Sequence, residues 1–136
     1  IYPNWTPTAF PATDNPVDDP VVDDAQSMLD SHLLCHSDCE GYYVPVAFDV
    51  PLFSVDESQV PGGMLGSSQG LMDELVTIAP ALGITLLRGT LSDAEAERVN
   101  LVVEQEAPVW IEMAVWLTLF EAARLSIEHN TAICFE

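Results

Sequence analysis

His32, Cys35, His36 and Cys39 stand in the stretch SHLLCHSDCEGYY at i, i+3, i+4 and i+7. That spacing puts all four on one face of a helix, provided the helix runs that far. Each of these residue types can ligate zinc. One straight helix cannot wrap four ligands tetrahedrally around a single ion. A site would need the helix to end near His36, or help from His129 and Cys134. Nothing like a paired CxxC pattern is present. The plainer reading is a core-facing pair of thiols with a histidine at a helix C-terminus, where positive charge is favoured. No metal or other cofactor is therefore expected. A zinc module or metal-dependent enzyme built on this cluster is the alternative.

Immediately downstream, Asp38 and Glu40 precede Tyr42 and Tyr43. Carboxylates can pair with arginine, and aromatic rings supply contact area. These four residues are the candidate partner-binding site. As a general acid and base the carboxylates lack a neighbouring nucleophile, so no catalytic residue is assigned.

The glycine-rich run PGGMLGSSQG, residues 61–70, precedes a second helix. Backbone N–H groups at such a place can cradle an anion. No Gly-Lys-Ser/Thr follows, no GxGxxG occurs, and no basic residue is close in sequence. A loop ending in a serine cap is the simpler role. HExxH and EF-hand loops are missing, and no nucleophile elbow is assigned to Gly66, Ser68 and Gly70 despite their GxSxG spacing.

The elements that would carry these residues are led by the stretch from Pro108 to Glu136. PVWIEMAVWLTLFEAARLSIEHN reads as a long helix that opens at Pro108 and ends at His129-Asn130. Trp110, Met113, Ala114, Leu117 and Phe120 make one helical face. Val115, Trp116, Leu119, Ala122, Ala123 and Leu125 fill most of the rest, which predicts a helix covered on most sides. Glu112, Glu121 and Arg124 exclude a membrane span.

Residues 1–22 hold Pro3, Pro7, Pro11, Pro16 and Pro20 among several aspartates and read as an extended arm. Trp5 and Phe10 would dock that arm on the domain. Asp23 or Asp24 caps a helix running to about His36. Tyr42 to Phe48 reads as a strand, held to an edge or a bulge by Pro45. Residues 54–66 form a loop. Ser67 or Ser68 caps a helix lined by Leu71, Leu75, Ile78 and Leu82 and stopped by Gly83. Ile84 to Leu87 is a short covered strand. Ser92 and Glu95 form a capping box for a third helix to about Gln105, whose Glu95, Glu97, Glu104 and Glu106 look like a solvated face. Thr131 to Phe135 is the last strand.

Strands separated by helices predict a small single α/β domain over residues 23–136. Its sheet would be three-stranded and mostly parallel, packed by about four helices. An α+β domain, with 42–53 as a hairpin of its own, is the alternative.

The charge balance narrows the function. The 136 residues carry 22 acidic side chains against Arg88, Arg98 and Arg124, with no lysine, for a net charge of −19. Nucleic acid and anionic lipid both demand a basic surface, so neither is the expected partner. Cys35, Cys39 and Cys134 are too few for a disulfide scaffold, and a cytoplasmic setting follows most simply. No leader or membrane span is visible in the sequence. The resulting expectation is a non-enzymatic acidic binding protein. It would act as an inhibitor or immunity-type partner covering a basic surface of another protein, such as a toxin nuclease. A structural or assembly domain with a docking arm is a further alternative.

Overall fold

In the computed structural model, which describes residues 19–35, 41–56, 60 and 62–135, the first helix begins earlier than the sequence pattern implies. Asp19 is its cap and accepts from the Val21 N–H at 2.9 Å. Pro20 takes the first helical position, where its fixed φ helps and its missing N–H costs nothing. Helix α1 therefore spans Pro20–Ser27 rather than Asp23 to His36. A left-handed Leu29, φ 53°, breaks the chain direction after it. A separate helical turn at residues 31–35 carries His32 and Cys35. The proposed arm lies outside the described residues up to residue 18.

The sheet has four strands in the order β2-β3-β1-β4. Strand β1 is Gly41–Val44, β2 Leu52–Phe53, β3 Met64–Ser67 and β4 Ile133–Phe135. β1 runs parallel to β3, with Tyr43 opposite Gly66, and antiparallel to β4, with Tyr42 opposite Cys134. β2 and β3 are antiparallel. The sheet is thus mixed and four-stranded, not three-stranded and mostly parallel. β1 and β2 form no hairpin, because β3 lies between them. β1 is also an interior strand. Pro45 stands just past its end, so the ladder loses no donor.

Strand β3 falls where glycines announce a loop. The glycine in it has a packing reason. A Cβ added at Gly66 would lie 2.4 Å from the Tyr43 ring, so only glycine lets the tyrosine lie flat against β3. The converse error is at Ile84 to Leu87, which is not a strand. Ile84 is buried, but the Thr85 N–H goes to Glu95 Oε1 at 2.8 Å rather than to a neighbouring strand. Leu87 and Thr90 make an isolated bridge around a tight turn in which Arg88 and Gly89 both have positive φ, 54° and 78°.

Helix α2, Ser68–Ile78, is capped by Ser67, whose Oγ accepts from the Gly70 N–H. It tightens into a 3-10 turn at Ala79–Leu82 and stops at left-handed Gly83. Helix α3, Asp93–Glu104, is capped by Ser92. Helix α4, Trp110–His129, ends at left-handed Asn130 as its sequence indicates. It starts two residues after Pro108, behind a left-handed Val109.

α4 packs against both α2 and α3. Met113, Trp116, Leu119, Phe120 and Ala123 face inward with Tyr43, Leu71, Leu75, Ile84 and Val99. Trp116 stacks on Phe120 at 4.7 Å and donates its ring N–H to the Leu75 carbonyl at 2.9 Å. Leu117 and Leu82 pack on this cluster from its margin. α4 is not covered on most sides, however. Ile111, Val115 and Leu125 are exposed along its outer face. Among the described residues no helix is long and apolar enough to cross a membrane.

Candidate interaction surface

The His32 region is a structural joint. His32 is 1% exposed. The Ser67 N–H donates to Nδ1 at 3.1 Å, so Nδ1 is the acceptor nitrogen. The proton therefore sits on Nε2, which donates to the Phe48 carbonyl at 3.1 Å. Both nitrogens are engaged in hydrogen bonds to the backbone. Gly70 makes room for the ring, since a Cβ there would lie 2.2 Å from it. Glu74 of α2 holds the turn from below. Its carboxylate accepts from the Ser31 hydroxyl and from the His32 and Leu33 N–H groups at 2.7 to 2.9 Å. Burial, as the main cause, pushes the Cys35 thiol above its usual range and so away from thiolate chemistry. Among the described residues no group of three or more His, Cys, Asp or Glu could hold a metal. His36 and Cys39 lie outside them.

The candidate partner-binding residues are not all on one surface. Tyr43 is fully buried, and its hydroxyl donates to the His32 carbonyl. Its ring meets Phe135 edge-on at 5.7 Å. Burial also drives its phenol pKa upward. Tyr43 thus offers a partner no contact area. Tyr42, next along β1, points to the opposite face of the sheet and is half-buried. Asp38 and Glu40 lie outside the described residues. The glycine-rich run is also structural. Ser67 already takes the Gly70 donor at the start of α2. Ser68 Oγ meets Ser126 Oγ at 2.7 Å, and Ser126 Oγ donates to the Thr131 carbonyl at 2.6 Å. These bonds tie α2, α4 and the approach to β4 together.

The charges sort into two groups. One group is satisfied internally. Arg98 binds Glu95 at 2.7 Å and the Gly83 carbonyl at 2.8 Å. Arg124 bridges Glu121 at 2.8 Å and Glu128 at 2.6 Å. Glu74 and Asp19 serve the backbone as described. Arg98 and the Thr85 N–H hold the Glu95 carboxyl down at about 2.

The second group is turned to solvent. Asp93, Glu97 and Glu104 are exposed at i, i+4 and i+11 of α3, with Asn100 between them. They form one stripe along about 16 Å of helix, directed away from buried Val99. Glu106 and Glu112 are exposed in the connection and the first turn of α4. Glu104 and Glu106 stand at the C-terminal end of α3, where the helix dipole is negative and no basic residue offsets it. Acids in that position are destabilising by some tenths of a kcal/mol each, so folding does not explain them. Glu97, Glu104 and Glu106 are exposed, as the expected solvated face requires, whereas Glu95 is turned to Arg98 and the Thr85 N–H.

Residues 2–135 match the family model described as Putative DNA-mimic protein. The chain belongs to that family. No curated protein and no solved structure matches it. Membership fits an acidic, protein-binding, non-enzymatic role. It does not point to toxin immunity in particular.

Proposed function

We propose that this chain occupies the DNA-binding surface of a basic protein and so excludes duplex DNA from it. The observation that carries this reading is the carboxylate stripe of α3, Asp93, Glu97 and Glu104, continued by Glu106 at the end where the dipole opposes it. A duplex presents one phosphate per ~3.4 Å of axis on each strand. The α3 stripe is sparser, so it would satisfy a subset of the partner's arginines and lysines. Asp38, Glu40 and Tyr42 are proposed as a second contact. Inhibition is the natural consequence, and a toxin nuclease is one member of the wider class of proteins with a basic DNA-binding cleft.

The test is competition. A partner recovered with the tagged chain is loaded with a labelled duplex, and the chain is titrated in. Release of the duplex is expected. The triple variant Asp93→Asn, Glu97→Gln, Glu104→Gln should need at least tenfold more protein for the same release, with an unchanged melting temperature. A ternary complex of partner, duplex and chain would overturn the proposal.

A further inference from the structure

Along the outer face of α4, Ile111, Val115, Thr118, Ala122 and Leu125 follow one another at alternating steps of four and three residues. His129 continues the same alternation. Ile111 is 56% exposed, Val115 52% and Leu125 42%. This seven-residue period keeps a narrow seam on one side of a helix and is the spacing by which two helices interlock. The seam contains no carboxylate, in a chain with 22 acidic residues. A basic partner would be met by the carboxylates of α3. An uncharged stripe of this period suits another apolar helix, and the same stripe on a second copy has the matching spacing and length.

We propose that two copies of this chain associate through α4, packed antiparallel. In that arrangement Val115 of one copy meets Leu125 of the other. Thr118 meets Ala122 at the centre, where two small side chains let the helices approach closely. Ile111 meets His129, which also comes beside Glu112 of the other copy. Antiparallel packing sets the two helix dipoles in opposition, which is favourable. A seam on a single helix covers less than the ~800 Å² per partner of a standard interface. Each copy also carries a charge of −19. The pair is consequently reversible, with dissociation in the micromolar range or weaker. Added salt screens the mutual repulsion and tightens the pair, whereas it loosens a complex with a basic partner. The two associations therefore respond to salt in opposite directions and can fail separately.

Sedimentation equilibrium on the full chain, from about 1 µM to about 1 mM, tests this. The expected result is a monomer–dimer equilibrium that strengthens with salt. Val115→Glu and Leu125→Glu should each weaken it at least tenfold while leaving the melting temperature unchanged. A monomer at every concentration overturns the proposal. So does a dimer that Val115→Glu leaves intact. So does a monomeric wild type whose melting temperature falls on Val115→Glu, because the seam would then be covered by the chain itself, for instance by the segment bearing Trp5 and Phe10.

Discussion

Tyr43 shows how one side chain can be misjudged by its type. A tyrosine beside acids in a turn reads as recognition surface, yet its neighbours in the fold are His32, Gly66 and Phe135. Tyr43→Phe should destabilise the protein by about 1 to 3 kcal/mol, because the buried His32 carbonyl loses its donor. Urea denaturation measures this, and an unshifted midpoint would mean the carbonyl is satisfied some other way. Glu95 makes a prediction in pH. Its folded pKa of about 2 lies below the ordinary 4.5, chiefly because Arg98 bonds to the carboxylate. The ionised form is thus favoured by folding. The stabilisation is complete above 4.5 and fades as pH falls from there toward 2. Glu95→Gln should flatten the stability profile across that window. A profile still as steep as that of the wild type would place the acid sensitivity elsewhere.

Among the elements, the helices were easier to read than the strands. Capping chemistry is local, so Ser67, Ser92 and Asn130 appear at their ends of α2, α3 and α4 in sequence and in structure alike. β3 was hidden because Gly66 is there for the Tyr43 ring, a contact made across strands and invisible to any local window. β2 has two residues and no period to detect. Periodicity also overstated the burial of α4. Its composition is apolar all round, but among the described residues it is α2, the 3-10 turn, α3 and β4 that pack on it, and they leave its outer face exposed. Glu97, Glu104 and Glu106 were legible as an exposed acidic face, whereas the pairing of Glu95 with Arg98 and the Thr85 N–H depends on a contact from outside the helix. Val109 was not foreseen either. A β-branched residue in the left-handed region ahead of α4 is strained, and Val109 is half exposed, so little packing depends on it. Val109→Gly should raise stability by about 1 kcal/mol, read from thermal melting. A lower melting temperature would show that the valine contributes more by packing than it costs in backbone strain.

For the molecule as a whole, glutamates pair with Arg98 and Arg124 among the described residues, and the chain carries a net charge of −19. A field of that sign speeds the approach of a basic protein over tens of ångströms and is screened at a Debye length of ~10 Å in 0.1 M salt. The association rate with a partner should therefore fall steeply as ionic strength rises, while the dissociation rate changes less. Stopped-flow mixing at several salt concentrations gives both rates. An association rate indifferent to salt would remove electrostatics from recognition.

Arg88 is exposed in its tight turn, while Arg98 and Arg124 are clamped by glutamates on helices. Trypsin cuts only after arginine or lysine, and lysine is lacking here. The folded protein should accordingly be nicked first between Arg88 and Gly89, leaving the sheet strands on one fragment except for β4, and α3 and α4 on the other. Whether those halves stay together through the α2–α4 packing after cleavage would turn a single protease digest into a direct gauge of the core's cohesion.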